Sequence, residues 1–421
     1  MRQRMRFSRA TRARSAARIS AVLLTTLWNA LATACGSERA GNSTTTIHDS
    51  AGVRIVTSGA PGRWTNGSGW RLVRDLRIGE LEGAPEYTFN QIAAVAVTSG
   101  DTIFVLDRGD KTIKAYDPGG RFARQFGREG EGPGEFRTPS EMVALRDTLL
   151  VYDWRLGRFT FLTRDGGVVS TSRVPPAGRG LRVLDDTTLI LGFSGGYSAR
   201  LRPEIEFWLV CLDRAGAVRD TLLTGVDVDA IVYRTERSMT VFSAPFARGP
   251  RWDAGNGRLV FGRGERYVID QYRCAPEPRL EASVRRTVPP VEATEADRAA
   301  YRRPYEDPGF PEETRKRYAT ILRTVAYPST WPAYEDLRLD ASGRLWALLP
   351  AHEADSLATW DIFAAEGDYL GAVTLPGDIR VHLILEDAVY GVARDELGVQ
   401  SVVRYRIERN PSGQTERRPT G

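Results

Sequence analysis

Asp101 to Phe122, DTIFVLDRGDKTIKAYDPGGRF, is repeated in register by Asp147 to Val168, DTLLVYDWRLGRFTFLTRDGGV. Asp101 pairs with Asp147, Thr102 with Thr148, Val105 with Val151, Asp107 with Asp153 and Gly120 with Gly166, always 46 residues apart. A period of that length belongs either to a four-stranded blade or to a helical repeat, and the distinction decides the fold. Here the apolar residues fall in short runs bounded by Asp, Gly and Pro, so the repeat is built of strands and hairpins.

Working outward, the same unit recurs six times. Turns at Ser99-Gly100, Arg146-Asp147, Asp185-Asp186, Asn256-Gly257, Ser342-Gly343 and Glu386-Asp387 each precede a β-rich run: IFVLD, LLVYD, TLILGF, RLVFG, RLWALL and AVYGVA. Later hairpins turn at Asp117-Pro118-Gly119-Gly120, Arg164-Asp165-Gly166-Gly167, Asp213-Arg214-Ala215-Gly216 and Ala365-Glu366-Gly367-Asp368, where Asp, Pro and Gly supply the fixed or positive φ of short loops. The last unit, Ile379 to Ile407, is one strand short, while Arg71 to Ile78 (RLVRDLRI) alternates like a strand and has no blade of its own. Pairing the two removes the open sheet edges and predicts an all-β fold, a six-bladed β-propeller over residues 51–409 closed by an N-terminal strand. Residues 288–335 break the pattern. Thr294-Glu295-Ala296-Asp297 is close to a capping box, and Pro311-Glu312-Glu313 opens a second helix that stops before Tyr327-Pro328, so a small helical insertion is expected between blades four and five.

The N-terminus has the order of an export signal. Arg2, Arg4, Arg6, Arg9, Arg12, Arg14 and Arg18 form a basic region, Ile19 to Leu27 an apolar one, and small residues lead to Cys35. The end resembles a bacterial lipobox, with Ala32 where Leu is more common. That resemblance implies that residues 1–35 are a signal peptide, that Cys35 is lipidated, and that the protein is exported and held in the bacterial cell envelope, its membrane partner reached through the lipid. Residues 36–50 are polar and read as a flexible tether, and residues 410–421 as a disordered tail.

The chain carries +5 formally, but residues 1–34 hold seven Arg and no other charge, which leaves −2 for the rest. The electrostatic case for a nucleic-acid partner disappears with that correction. Only Lys111, Lys114 and Lys316 are lysines among 58 basic residues, a bias that base composition explains without any Arg-specific role. Cys211 and Cys274 fall in neighbouring units with no spacing motif, and two buried reduced thiols are the expectation.

Gly127 to Phe136 (GREGEGPGEF) superficially suggests a phosphate loop, yet it lacks the Gly-Lys-Ser/Thr ending, no helix follows, and its three Glu repel phosphate. A turn between blades is the better reading, with the carboxylates as calcium ligands an alternative. The segment from Val105 to Phe136, VLDRGDKTIKAYDPGGRFARQFGREGEGPGEF, resembles the NHL-type repeat and, more closely, the bacterial six-bladed propeller lipoproteins, specifically over residues 69–175 and diffusely to 408. The resemblance implies fold and envelope location and lends no catalytic residues. It further implies that Asp107 and Asp153 are structural, bonding within the blade.

In such rings the outer-to-inner connections and the loops between second and third strands open on one face, around the channel. The expected site is that face, partly roofed by the insertion, with Arg108, Lys111, Arg128, Trp154, Arg155, Tyr197, His352 and Glu353 as candidate binding residues. Related rings include metal-dependent lactonases and lyases, so a metal-dependent enzyme is the alternative to a non-catalytic binding or scaffolding module. For it only His352, Glu353 and Asp355 lie together in a loop on that face, a trio that reads first as solvated surface. No catalytic set and no cofactor are expected, calcium or another divalent metal being the one alternative; the ligand, whether protein, peptide or small molecule, is not specified.

Overall fold

The computed structural model describes residues 45–64, 69–175, 178–194, 205–227, 230–234, 239–274, 278–324, 327–352 and 355–409. Five four-stranded antiparallel sheets and one six-stranded sheet account for most of them. The first blade runs Ile92–Val97, Ile103–Asp107, Thr112–Tyr116 and Phe122–Phe126, and the second Pro139–Ala144, Thr148–Asp153, Arg158–Thr163 and Val168–Arg173. The third is Gly178–Val183, Thr188–Ser194, Ile205–Asp213 and Val218–Asp227, and the fourth Arg251–Gly255, Arg258–Gly262, Val268–Arg273 and Arg279–Arg286. Asp336–Leu339, Leu345–Leu348, Leu357–Phe363 and Tyr369–Pro376 form the fifth. The sixth combines Ile379–Ile384, Ala388–Arg394 and Gln400–Arg409 with Trp70–Ile78, which pairs antiparallel to Gln400–Arg409 from Trp70 opposite Arg409 to Ile78 opposite Val402. This is the six-bladed β-propeller, closed by an N-terminal strand as the missing strand predicts.

Closure is also visible in the core. Side chains alternate along each strand, so Ile103 and Val105 pack toward the sixth blade with Ile78, Tyr390 and Val402, whereas Phe104 and Leu106 pack toward the second with Met142, Leu149 and Val151. Every other junction between neighbouring blades has its own apolar cluster. Because both faces of each blade are covered, the second strands of the first two blades are buried along nearly their whole length and read as apolar runs ending in Asp. The glycine that recurs across the repeat seats each hairpin on the blade before it. Gly120 has φ +85° and Gly166 φ +94°, and a Cβ there would lie 2.8 Å from Leu76 and 2.5 Å from Phe126 respectively.

The N-terminal region corrects the tether expectation at residues 45–50, while residues 36–44 lie outside the described residues. Thr45–Ser50 is a strand, not a tether, paired with Val53–Ser58 through a two-residue turn in which Ala51 and Gly52 both have positive φ. It is exposed along almost its whole length, which is why it carries no apolar signal. Val53–Ser58 in turn lies parallel to Arg279–Arg286, widening the fourth blade to six strands. From there Arg63 and Trp64 donate backbone hydrogen bonds to Tyr369 and Leu370 on the outer strand of the fifth blade before the chain enters the sixth. The segment thus straps three outer rims together.

Two short helices, Glu295–Arg302 and Glu312–Thr324, form the insertion between the fourth and fifth blades. Thr294 and Asp297 make the reciprocal capping box. A hairpin of Ala230–Arg234 and Met239–Ser243, not anticipated from the sequence, separates the third and fourth blades. Cys211 and Cys274 are free and buried in the apolar cluster between those blades, where burial pushes their thiols up to about 11 and about 12.

Candidate functional site

The inner strands of all six blades surround a central cavity of about 1010 Å³. Six arginines line it: Arg108, Arg179, Arg182, Arg338, Arg380 and Arg394. Among the described residues only two carboxylates, Glu141 and Asp253, line it with them, and both are engaged. Glu141 accepts from the Gly180 amide at 3.0 Å; Asp253 pairs with Arg182 and accepts from the Leu339 amide at 2.7 Å. Burial works against the charge of Arg182, but Asp253 and then Glu141 hold its pKa above the usual arginine value. Arg338 pairs with Asp336 at 2.8 Å, and Arg108 donates to Gln91 at 3.2 Å. His382 shares the lining, and burial, followed by the charges of Arg380, Arg338 and Arg182, pushes it down to about 3, so it is neutral at physiological pH.

The loop-bearing mouth is built by two buried aspartates. Asp107 accepts from the amides of Asn90, Gln91, Gly109 and Asp110, and Asp153 from those of Arg137, Thr138, Arg155 and Leu156. Each carboxylate therefore ties the connection entering its blade to the loop between its second and third strands, and both are fully buried. That clamp sets Arg108 and Trp154, the residues immediately after the aspartates, on the rim of the channel.

The other sequence candidates separate. Lys111 and Arg155 line a smaller cleft of about 450 Å³ with Glu129, Glu131 and Arg137. Arg128 points elsewhere, pairing with Glu135 at 2.8 Å. Glu129 and Glu131 both pair with Arg137, so each of the three glutamates of the Gly-rich segment faces an arginine. Arg158 also donates to the carbonyls of Glu131, Gly132 and Glu135, and Phe136 is fully buried, which makes this segment an inter-blade turn. His352 joins the insertion instead of the channel. Its Nδ1 lies 3.0 Å from Asp297, whose carboxylate also accepts from Thr294 and from Trp331 Nε1. Burial alone would raise the Asp297 carboxyl, but these donors hold it well below the usual carboxylate range. Asp355 accepts from the His352 amide at 2.8 Å and closes the local turn. Tyr197 and Glu353 lie outside the described residues. Among the described residues, no group of three or more His, Cys, Asp or Glu is arranged to hold a metal ion, and none from the insertion lines the channel.

Sequence reading missed Arg179, Arg182, Arg338 and Arg380. A signal existed, since each sits in a short inner strand, GRGLRV, DLRL or IRVHLI, where a charge contradicts the apolar run. It was hidden because arginine is abundant along the whole chain.

A family model described as a 6-bladed beta-propeller (DUF5128) matches residues 73–154. No curated protein matches the sequence. Among solved structures, the chain is similar to a Bacteroides fragilis protein named as exported (12% identity, 84% of this chain and 99% of that one, TM-score 0.49) and to a member of the DUF4221 family from Bacteroides vulgatus (12%, 82% and 99%, 0.48). Virginiamycin B lyase from Staphylococcus aureus is similar at 9% identity over 80% of this chain and 99% of that one, with a TM-score of 0.38.

Proposed function

We propose that this protein is an exported, lipid-anchored binding module whose ligand enters the propeller channel from the loop-bearing face. The observation that carries the reading is the channel lining: six arginines and Trp154, with the two carboxylates already engaged. Such a wall supplies directional donors and an aromatic face on a rigid frame, and its one imidazole, His382, has too low a pKa to take up a proton near neutral pH. The export order of residues 1–34, ending at Cys35, supports an envelope location, and no helix among the described residues is long and apolar enough to cross a membrane. In this reading acyl chains on Cys35 are the anchor, each contributing about 0.8 kcal/mol per CH₂ buried in the bilayer.

Both halves are tested on the full-length protein. Cys35→Ala is expected to move the protein from the membrane to the soluble fraction, and continued membrane retention rejects the anchor. In a thermal-shift screen of the detergent-extracted protein, ligands that raise the melting temperature are expected to lose their effect in Trp154→Ala. Turnover of lactones with one tightly held metal equivalent rejects the non-catalytic reading.

A further inference from the structure

Resting on the channel as the binding site, we infer that its ligand is a small oligoanion, a molecule bearing two or more phosphate or carboxylate groups. Three arginines of the lining have capacity to spare. Arg179, Arg380 and Arg394 are exposed to the channel and make no side-chain hydrogen bond or ion pair with any described residue. The remaining three are held in place: Arg108 by Gln91, Arg182 by Asp253 and the Leu181 carbonyl, Arg338 by Asp336 and the Val381 carbonyl. Even so, Arg338 keeps a buried Nε without a partner.

The arginines stand at two depths. Inner strands start at the loop-bearing face, so Arg179 and Arg380, each second in its strand, stand near the mouth with Arg394 and Arg108, while Arg182 lies deeper. Between Arg179 and Arg182 the strand bulges at Gly180, so that the partner strand advances only from Gly192 to Ile190, about 7 Å at about 3.3 Å per residue. A single inorganic anion reaches one tier; a ligand with two or more anionic groups spans both. Like charges around a narrow, protein-walled channel focus a positive potential along its axis, and a multivalent anion relieves their repulsion while accepting bidentate guanidinium donors. Neutral His382 adds no charge of its own, so the field in the channel comes from the arginines.

Isothermal titration of the detergent-extracted full chain with inorganic tripolyphosphate, citrate and orthophosphate tests this. Tripolyphosphate or citrate is expected to bind at least tenfold more tightly than orthophosphate, and whichever is tighter identifies the anionic group. Affinity should fall steeply as salt rises through about 0.1 M, where the Debye length is about 10 Å. Arg179→Gln with Arg380→Gln should weaken binding at least tenfold, and Arg128→Gln, outside the channel, should leave it unchanged. Should the double variant misfold, phenylglyoxal labelling of the wild type decides instead: tripolyphosphate is expected to protect Arg179, Arg380 and Arg394 but not Arg128. Failure of both oligoanions to bind, or equal protection of Arg128, overturns the inference. Uncharged compounds that still stabilise the protein through Trp154 would in that case leave the binding reading standing, whereas no stabilising compound of any class would remove both.

Discussion

At the scale of the residue, buried charge in this protein either builds loops or joins blades. Asp361, on the third strand of the fifth blade, is 1% exposed; it accepts from Tyr267 at 2.7 Å and Tyr369 at 3.0 Å and pairs with Arg286 on the outer strand of the fourth. Burial raises its carboxyl above the usual range and Arg286 pulls against that rise, with the guanidinium lying 3.9 Å over the Tyr369 ring. Asp361→Ala leaves Arg286 buried without its anion, and a loss of about 3–5 kcal/mol in urea-induced unfolding is expected. Arg286→Met combined with Asp361→Leu should recover much of it; a double variant as weak as the single one would show that packing, and not the unpaired charge, sets the cost. His382 gives a pH prediction. Its folded value near 3 lies below the usual 6.5, so below about pH 6.5 the unfolded chain takes a proton that the folded channel refuses. Stability should therefore fall as pH drops from about 6.5 toward 3. The fall in melting temperature between pH 7 and pH 5 should be smaller in His382→Gln than in the wild type, and equal falls would count against a neutral His382.

Among the elements, the two N-terminal strands contribute unequally. Trp70–Ile78 completes the sixth blade, and Leu76 and Ile78 enter the core shared with the first. Without it, the edge of Gln400–Arg409 and the apolar seam are open to water. The hairpin of residues 45–58 covers only the outer edge of the fourth blade, although Val56 is fully buried there and Ser58 accepts from the Tyr369 amide. Removing residues 45–58 should lower the melting temperature while leaving one cooperative transition; removing residues 45–78 should abolish that transition. Calorimetry of the two truncations distinguishes them, and cooperative melting of the longer deletion would argue that the closing strand is dispensable. The first strand of that hairpin, Thr45–Ser50, was misread because a solvated edge strand needs no apolar face, whereas the closing strand was legible because its alternation matches a half-buried position.

For the molecule as a whole, blade number, ring closure, the place of the helices and the role of the hairpin glycines were legible in the sequence, because each depends on local periodicity or turn chemistry repeated along the chain. The lining of the channel was legible only in part. Arg108 and Trp154 were found because they follow the recurring aspartate, a position that the repeat marks. Arg182, Arg338 and Arg380 were not, because nothing in their own strands says that three blades distant in sequence aim guanidinium groups into one cavity. For the same reason His352 read as part of a solvated loop on the candidate face, and its contact with Asp297, 55 positions away, was not legible. What the sequence determined by itself was the unit and its repetition, since hydrogen-bonded strands and tight turns are chosen by neighbours a few residues apart. Only the tertiary structure decided which charges meet, because closing six such units around an axis brings into one electrostatic field side chains that the chain keeps hundreds of residues apart.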